Sequence, residues 1–95
     1  MMTIAEVLKL MYDQYKGSIK PYDGLELDKV FCFFVVDEND KAIGNNANFI
    51  ISKDGKLCTF VTIGQPLPNE YTNDTDFVRQ ISNKEILKIW NKLIQ

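Results

Sequence analysis

Two apolar runs on either side of an Asp-Gly pair constrain the fold of this chain more than any other feature of its sequence. The runs cover residues 49–52 and 56–63, and Asp54-Gly55 lies between them. Asp-Gly favours a two-residue hairpin turn with positive φ angles. If Lys53 faces Lys56, the larger side chains share one face, which we expect to be buried: Phe49, Ile51, Cys58 and Phe60. The other face then carries Ile50, Ser52, Leu57 and Thr59.

A third strand is predicted upstream of this hairpin. Residues 29–37 are rich in aromatic and β-branched side chains, which favour extended structure. The polar cluster of residues 37–41 then predicts a turn, after which Ala42-Ile43 can resume pairing. The strand is apolar on both of its faces. Either the helices of the chain cover opposite faces of the sheet, which we expect, or one face is left for a partner.

Helices are predicted at both ends of the chain. Thr3 and Glu6 have the spacing of a capping box, and apolar residues follow at helical intervals until Gly17, so a helix is expected from Thr3 to Lys16. Ser82 and Glu85 repeat this spacing before a second apolar stripe, formed by Ile86, Ile89, Trp90, Leu93 and Ile94.

The remaining segments lack a sustained period and are predicted to be irregular. Residues 17–28 contain Gly17, Pro21 and Gly24, with room for a short extended piece at Ile19. Residues 64–76 contain two prolines among polar side chains, with room for a helical turn near Asn69 to Tyr71. The sequence therefore predicts an α+β fold in one domain over residues 1–95. It consists of an antiparallel β-meander of three to four strands with an N-terminal and a C-terminal helix, in the order α-β-β-β-α.

Composition removes several classes of function. The formal net charge is −2 and the pI is about 5.0, whereas binding to a phosphate backbone normally needs a basic surface. The longest apolar run, residues 30–36, has seven residues, against roughly 20 for a membrane-spanning helix. The first ten residues do not resemble a signal peptide. We therefore expect a cytoplasmic protein that binds neither nucleic acid nor membranes.

The sequence gives equally little support for catalysis or for metal binding. The chain contains no histidine, and its two cysteines, Cys32 and Cys58, lie in apolar strands, where we expect buried thiols rather than a disulfide. Residues 37–41 resemble the start of a calcium loop, but Ala42 and Asn48 stand where glycine and glutamate are required. We expect no enzyme activity, no catalytic residues, no metal and no cofactor.

Acidic residues cluster in predicted loops. A solvated surface explains such clusters, and so does a patch that steers a basic protein partner, and the sequence leaves both open. Tyrosines are interspersed with them, and tyrosine is favoured at interfaces. The candidate partner-binding residues are Asp37, Glu38, Asp40, Glu70, Tyr71, Asp74 and Asp76.

Four short motifs add a resemblance. They are the aromatic strand Phe31-Cys32-Phe33-Phe34, the pair Gly44-Asn45, the segment Phe49-Ile50-Ile51-Ser52-Lys53-Asp54-Gly55, and Gly64-Gln65-Pro66-Leu67 followed by Glu70-Tyr71. From Phe31 to Tyr71, about 40 of the 95 residues, the chain resembles the YrhB-like immunity-protein family of bacterial polymorphic toxin systems.

The resemblance implies a small cytoplasmic protein that binds a cognate toxin domain and blocks it stoichiometrically. The toxin would have peptidase-like or other hydrolytic activity, and the inhibitor would be a monomer or a weak homodimer. A second hypothesis from another class is a chaperone-like or regulatory protein-binding module that uses exposed apolar strand surface.

Overall fold

The computed structural model describes residues 1–43, 48–61 and 76–94. These residues form two helices and five strands, in the order α1 (Ile4–Tyr15), β1 (Ile19–Leu27), β2 (Val30–Asp37), β3 (Asn48–Ser52), β4 (Cys58–Val61), β5 (Phe77–Ile81) and α2 (Asn83–Leu93). The strands make one sheet in the order β4-β3-β2-β1-β5, and all neighbours are antiparallel. The predicted α+β class is confirmed, with five strands rather than three to four.

The predicted hairpin register is confirmed. Ile51 pairs with Cys58, and Phe49 pairs with Phe60. The turn itself differs from the prediction, because of its two central residues only Gly55 has a positive φ, of 78°. Its amide donates to the carbonyl of Ser52, whose own amide donates to Leu57 across a four-residue loop. The pairing register is nevertheless the predicted one, because the turn is centred on the same two residues, Asp54 and Gly55.

Strand β1 occupies residues that the sequence predicts as irregular. Its regular alternation is interrupted by a bulge between Pro21 and Asp23. Gly24 lies opposite Phe33, and a Cβ added to Gly24 would lie 2.7 Å from Phe33 Cδ1. The glycine is therefore required by the close approach of an aromatic ring, although it reads as a strand breaker in the sequence.

Strand β5 is likewise absent from the prediction. It has five residues and pairs with the distal half of β1, where Gly24 faces Ile81. Phe77 and Val78 are exposed, so its sequence has no clean alternation of buried and exposed residues.

Both helices pack on the same face of the sheet, and the expectation that they cover opposite faces is wrong. This helix-covered face carries Phe31, Phe33 and Val35 from β2. The apolar residues that the two helices contribute to the same cluster are Val7, Leu8, Met11, Ile86 and Trp90. The two helices also contact one another, with the rings of Tyr12 and Trp90 edge to face at 5.6 Å.

The other side of the sheet, here called the second face, carries Cys32, Phe34 and Val36 from β2. Its buried part is small and centres on Val30 and Ile50. No helix of residues 1–43, 48–61 and 76–94 packs a buried side chain into this cluster. Because most of the described apolar packing lies on the opposite side, we expect the helix-covered face to contribute most of the stability of the fold.

The predicted helix caps form, with one difference. Thr3 and Glu6 make the full capping box, and α1 ends at Lys16 and Gly17, which both have positive φ. Ser82 accepts the Glu85 amide, but the Glu85 carboxylate binds Arg79 of β5 instead of closing the box. The second cap therefore ties the helix to the sheet edge. None of the helices in the described ranges is long and apolar enough to span a bilayer.

Charged side chains link four elements at one end of the helix-covered face. Glu26 of β1 accepts from Lys53 at 2.7 Å and from Arg79 at 3.0 Å. Lys53 is nearly buried, and its ammonium lies 5.2 Å from the centre of the Phe31 ring. The Lys53 hydrogen bond, helped by Arg79, holds the pKa of Glu26 below its usual value despite the opposing effect of burial.

Replacing Glu26 with glutamine is expected to lower the free energy of unfolding at pH 7 by about 1–3 kcal/mol, because Lys53 loses a charged partner. The folded-state pKa of Glu26 is depressed, so its contribution is complete above the unfolded-state value of about 4.3. It is lost as the pH falls through the lower, folded-state value. Urea unfolding between pH 3 and pH 7 should show the wild-type and variant curves converging in acid.

The exposed Glu38→Gln variant is the control for that experiment, and its stability should stay within about 0.5 kcal/mol of the wild type. Equal stability of the Glu26→Gln variant and the wild type at pH 7 would contradict a stabilising role for the network.

Candidate protein-binding surface

The predicted acidic turn lies at the end of β2. Its three carboxylates, Asp37, Glu38 and Asp40, have different surroundings. Asp37 accepts from the amides of Asn39 at 2.8 Å and Lys41 at 3.0 Å. The Lys41 amide, followed by that of Asn39, lowers the pKa of Asp37. Asp40 has a φ of 63° and pairs with Lys20 of β1 at 2.5 Å, while Glu38 is exposed. Asp37 therefore stabilises the turn, whereas Glu38 and Asp40 present charge to solvent.

The structure does not bring Asp76 to this turn. Asp76 precedes β5 and lies beside the start of β2, where its carbonyl accepts from the Asp28 amide and its own amide donates to the Asp28 carboxylate. Strand β2 has eight residues, so its two ends are about 23 Å apart at roughly 3.3 Å per residue. The other predicted residues, Glu70, Tyr71 and Asp74, lie outside the described residues.

A groove of about 200 Å³ opens beside the acidic turn. Three elements form it: β1, the end of β2 with its turn, and α2, which is distant from both in sequence. The lining residues are Lys20, Pro21, Tyr22, Val36, Asp40, Asn83 and Leu87. Pro21 and Val36 are the buried apolar residues of this lining. The Asn83 side chain donates to the Tyr22 carbonyl at 2.5 Å, which fastens α2 to the β1 wall.

The bulge in β1 explains why Tyr22 reaches the surface. An inserted residue in an antiparallel strand re-aims its side chain, and Tyr22 lies at the point where the β1–β2 register shifts. Its ring is 48% exposed and meets the edge of Phe34 at a centroid distance of 6.3 Å. By contrast, Tyr12 and Tyr15 pack at the edge of the core against Trp90 and Phe49.

Exposed apolar side chains continue from the groove onto the second face. Leu87 is 38% exposed at the helix wall, Phe34 is 36% exposed beside Tyr22, and Leu25 is 38% exposed on the neighbouring part of β1. We call these four residues, Leu87, Tyr22, Phe34 and Leu25, the apolar strip. Exposed apolar residues in one contiguous region with polar neighbours are typical of interaction sites.

The charged side chains that line the groove, Lys20 and Asp40, pair with one another. The β2 side has Glu38 and Asp40, which are both exposed. On α2, Lys84 is exposed about one helical turn before Leu87. A partner that fills the groove would therefore meet the exposed Asp40 carboxylate on its β2 side.

The cysteines do not form an obvious reactive site. Cys32 lies on the second face and Cys58 on the helix-covered face, and both are free thiols. Burial raises the pKa of each thiol, which disfavours the nucleophilic thiolate. The Cys58 thiol also lies 2.9 Å from the Gln14 side-chain oxygen. Within the part of the chain that the structure describes, no three metal-ligating side chains lie close enough to hold an ion.

Sequence reasoning missed Lys20, Val36 and Leu87 as site residues. Leu87 could have been predicted as an exposed apolar residue, because it lies outside the buried stripe of α2. Nothing in the local sequence marks Lys20 or Val36, because both residues reach the site only through tertiary packing.

Comparison of the chain with protein-family models, with curated proteins and with solved structures found no match. The resemblance to an immunity-protein family therefore remains a prediction from the sequence motifs.

Proposed function

We propose that this protein is a stoichiometric inhibitor of the immunity-protein type, which binds one toxin domain and blocks its active site by occlusion. The observation that carries the proposal is the apolar strip, which adjoins the exposed carboxylates of the β2 turn. Protein interfaces combine apolar or aromatic anchors with a charged rim, and tyrosine is enriched among the anchors.

The rim charges suit a basic toxin surface. Glu38 and Asp40 lie on a loop held by a rigid strand, where binding residues are commonly found. Their contribution would be to association rate and orientation, while the apolar strip would slow dissociation. The inhibitor itself performs no chemistry in this proposal.

A second candidate function is a chaperone-like or regulatory module that binds many clients. Phe77, which is 62% exposed, and the exposed Val78 favour it, because they extend the apolar surface to the β5 edge. The two candidates differ in stoichiometry and selectivity. An inhibitor binds one partner at 1:1, whereas a chaperone-like module suppresses the aggregation of unrelated proteins.

Co-expression with the toxin domain encoded beside its gene is expected to restore growth of a bacterial host. The purified pair should associate fast at low salt, and the Glu38→Ser and Asp40→Ser double variant should associate about tenfold more slowly, because the steering charge is removed. Stopped-flow fluorescence would measure both rates.

Asp13→Ser is the matched control, because it removes an exposed carboxylate from α1, where it pairs with Lys9. Its association rate should equal that of the wild type. Failure of the wild-type protein to restore growth or to bind the neighbouring toxin domain would contradict the inhibitor proposal.

A further inference from the structure

The groove beside the β2 turn is smaller than a usual small-molecule site. Its volume is about 200 Å³, whereas pockets for drug-sized ligands span roughly 300–1,000 Å³. Its apolar lining residues, Pro21, Val36 and Leu87, suit one side chain rather than a whole ligand. Interfaces commonly place such an anchor side chain in a pocket at their centre.

We infer that the groove receives a single aliphatic side chain from a protein partner, on a segment that carries a lysine or arginine beside it. This inference rests on the proposed function and names the chemistry of the partner at that surface. The aliphatic side chain packs between Pro21, Val36 and Leu87, and the basic residue faces the carboxylates of the turn.

Charge complementarity determines which residue flanks the anchor. Asp40 already pairs with Lys20, yet its side chain is 75% exposed, so a second cation can reach it. Glu38 is exposed on the same turn and adds charge of the same sign. On the α2 side, the exposed Lys84 follows Asn83 of the groove lining and would repel a second basic residue, so the basic flank is expected on the turn side alone.

The groove walls are already connected before a partner arrives. The Asn83 hydrogen bond to Tyr22 and the Lys20–Asp40 ion pair join α2 to β1 and β1 to the turn. A site whose walls are held in this way loses little conformational entropy on binding. The inferred occupant can therefore bind as a short peptide, without the rest of the partner.

Selection from a phage-displayed library of random 12-residue peptides tests the inference without any toxin. The bait is the full-length protein, and the enriched peptides are then titrated against the wild type and the variants. We expect enriched peptides with leucine, isoleucine or valine next to lysine or arginine. They should bind the wild type at least tenfold more tightly than Leu87→Asp and than the Glu38→Lys and Asp40→Lys double variant.

Val78→Asp is the matched control, because Val78 is also an exposed aliphatic residue but lies on β5. Peptide affinity for this variant should equal that for the wild type, and thermal unfolding should show that all the variants are folded. Absence of enrichment, enrichment of acidic peptides, or equal binding to Leu87→Asp would overturn the inference. These outcomes are independent of growth rescue, so a failure here and a failure of the inhibitor proposal are distinguishable.

Discussion

Replacement of Trp90 by alanine is expected to lower the free energy of unfolding by about 3–5 kcal/mol. The Trp90 side chain is only 1% exposed, and it packs in the single cluster that joins both helices to the sheet. Removing the indole also removes its edge-to-face contact with Tyr12. A domain of this size has about 5–15 kcal/mol of stability in total, so the variant should be partly unfolded near 37 °C. Urea denaturation followed by circular dichroism would measure the loss.

Leu87→Ala is the control, because Leu87 lies on the same helix and is exposed. Its loss should stay below about 1 kcal/mol, since little buried apolar surface disappears. Similar losses for the two variants would mean that α2 does not pack on the sheet through Trp90.

Replacement of Gly24 by alanine is expected to cost about 2–3 kcal/mol, although it adds only one methyl group. The new Cβ would lie 2.7 Å from Phe33 Cδ1 and 2.9 Å from the carbonyl oxygen of Cys32. The second of these contacts is to backbone, so a rotamer change of Phe33 cannot relieve both. The chain would have to separate β1 from β2, which lie side by side at the centre of the sheet.

Asp23→Ala, at the adjacent and exposed position of β1, controls for the general effect of alanine in this strand. Its stability should remain within about 0.5 kcal/mol of the wild type. Thermal unfolding of both variants gives the comparison, and a Gly24→Ala variant as stable as Asp23→Ala would contradict the close approach of β1 and β2.

The parts of the fold that depend on neighbouring residues are predictable from the sequence. The β3–β4 register follows from the Asp54-Gly55 pair, and the limits of α1 follow from Thr3, Glu6 and Gly17. Each of these signals acts within one turn or one hairpin, so tertiary context does not override it.

The parts that depend on tertiary packing are not predictable in this way. Gly24 and Pro21 read as breakers, yet the Phe33 ring and the bulge make both compatible with β1. The apolar stripe of α2 does not indicate which face of the sheet the helix covers, because both faces of the sheet are apolar. Glu85 appears in the sequence as a capping residue, while in the fold its carboxylate binds Arg79.

The candidate site also has a part that depends on neighbouring residues and a part that depends on tertiary packing. The turn at residues 37–41 is predictable because its polar residues interrupt apolar strands, but only the structure separates Asp37, which caps the turn, from the exposed Glu38 and Asp40. The groove depends on Tyr22 and Leu87, which are 65 positions apart in the chain. A surface assembled from such distant residues has no local pattern to reveal it.

Titration of the purified toxin domain encoded by the neighbouring gene tests the inhibitor proposal most directly. The toxin's enzymatic activity is measured as this protein is added, at concentrations well above the dissociation constant. We expect a linear loss of activity that ends at one equivalent of inhibitor. Full activity at a large excess of this protein would contradict it.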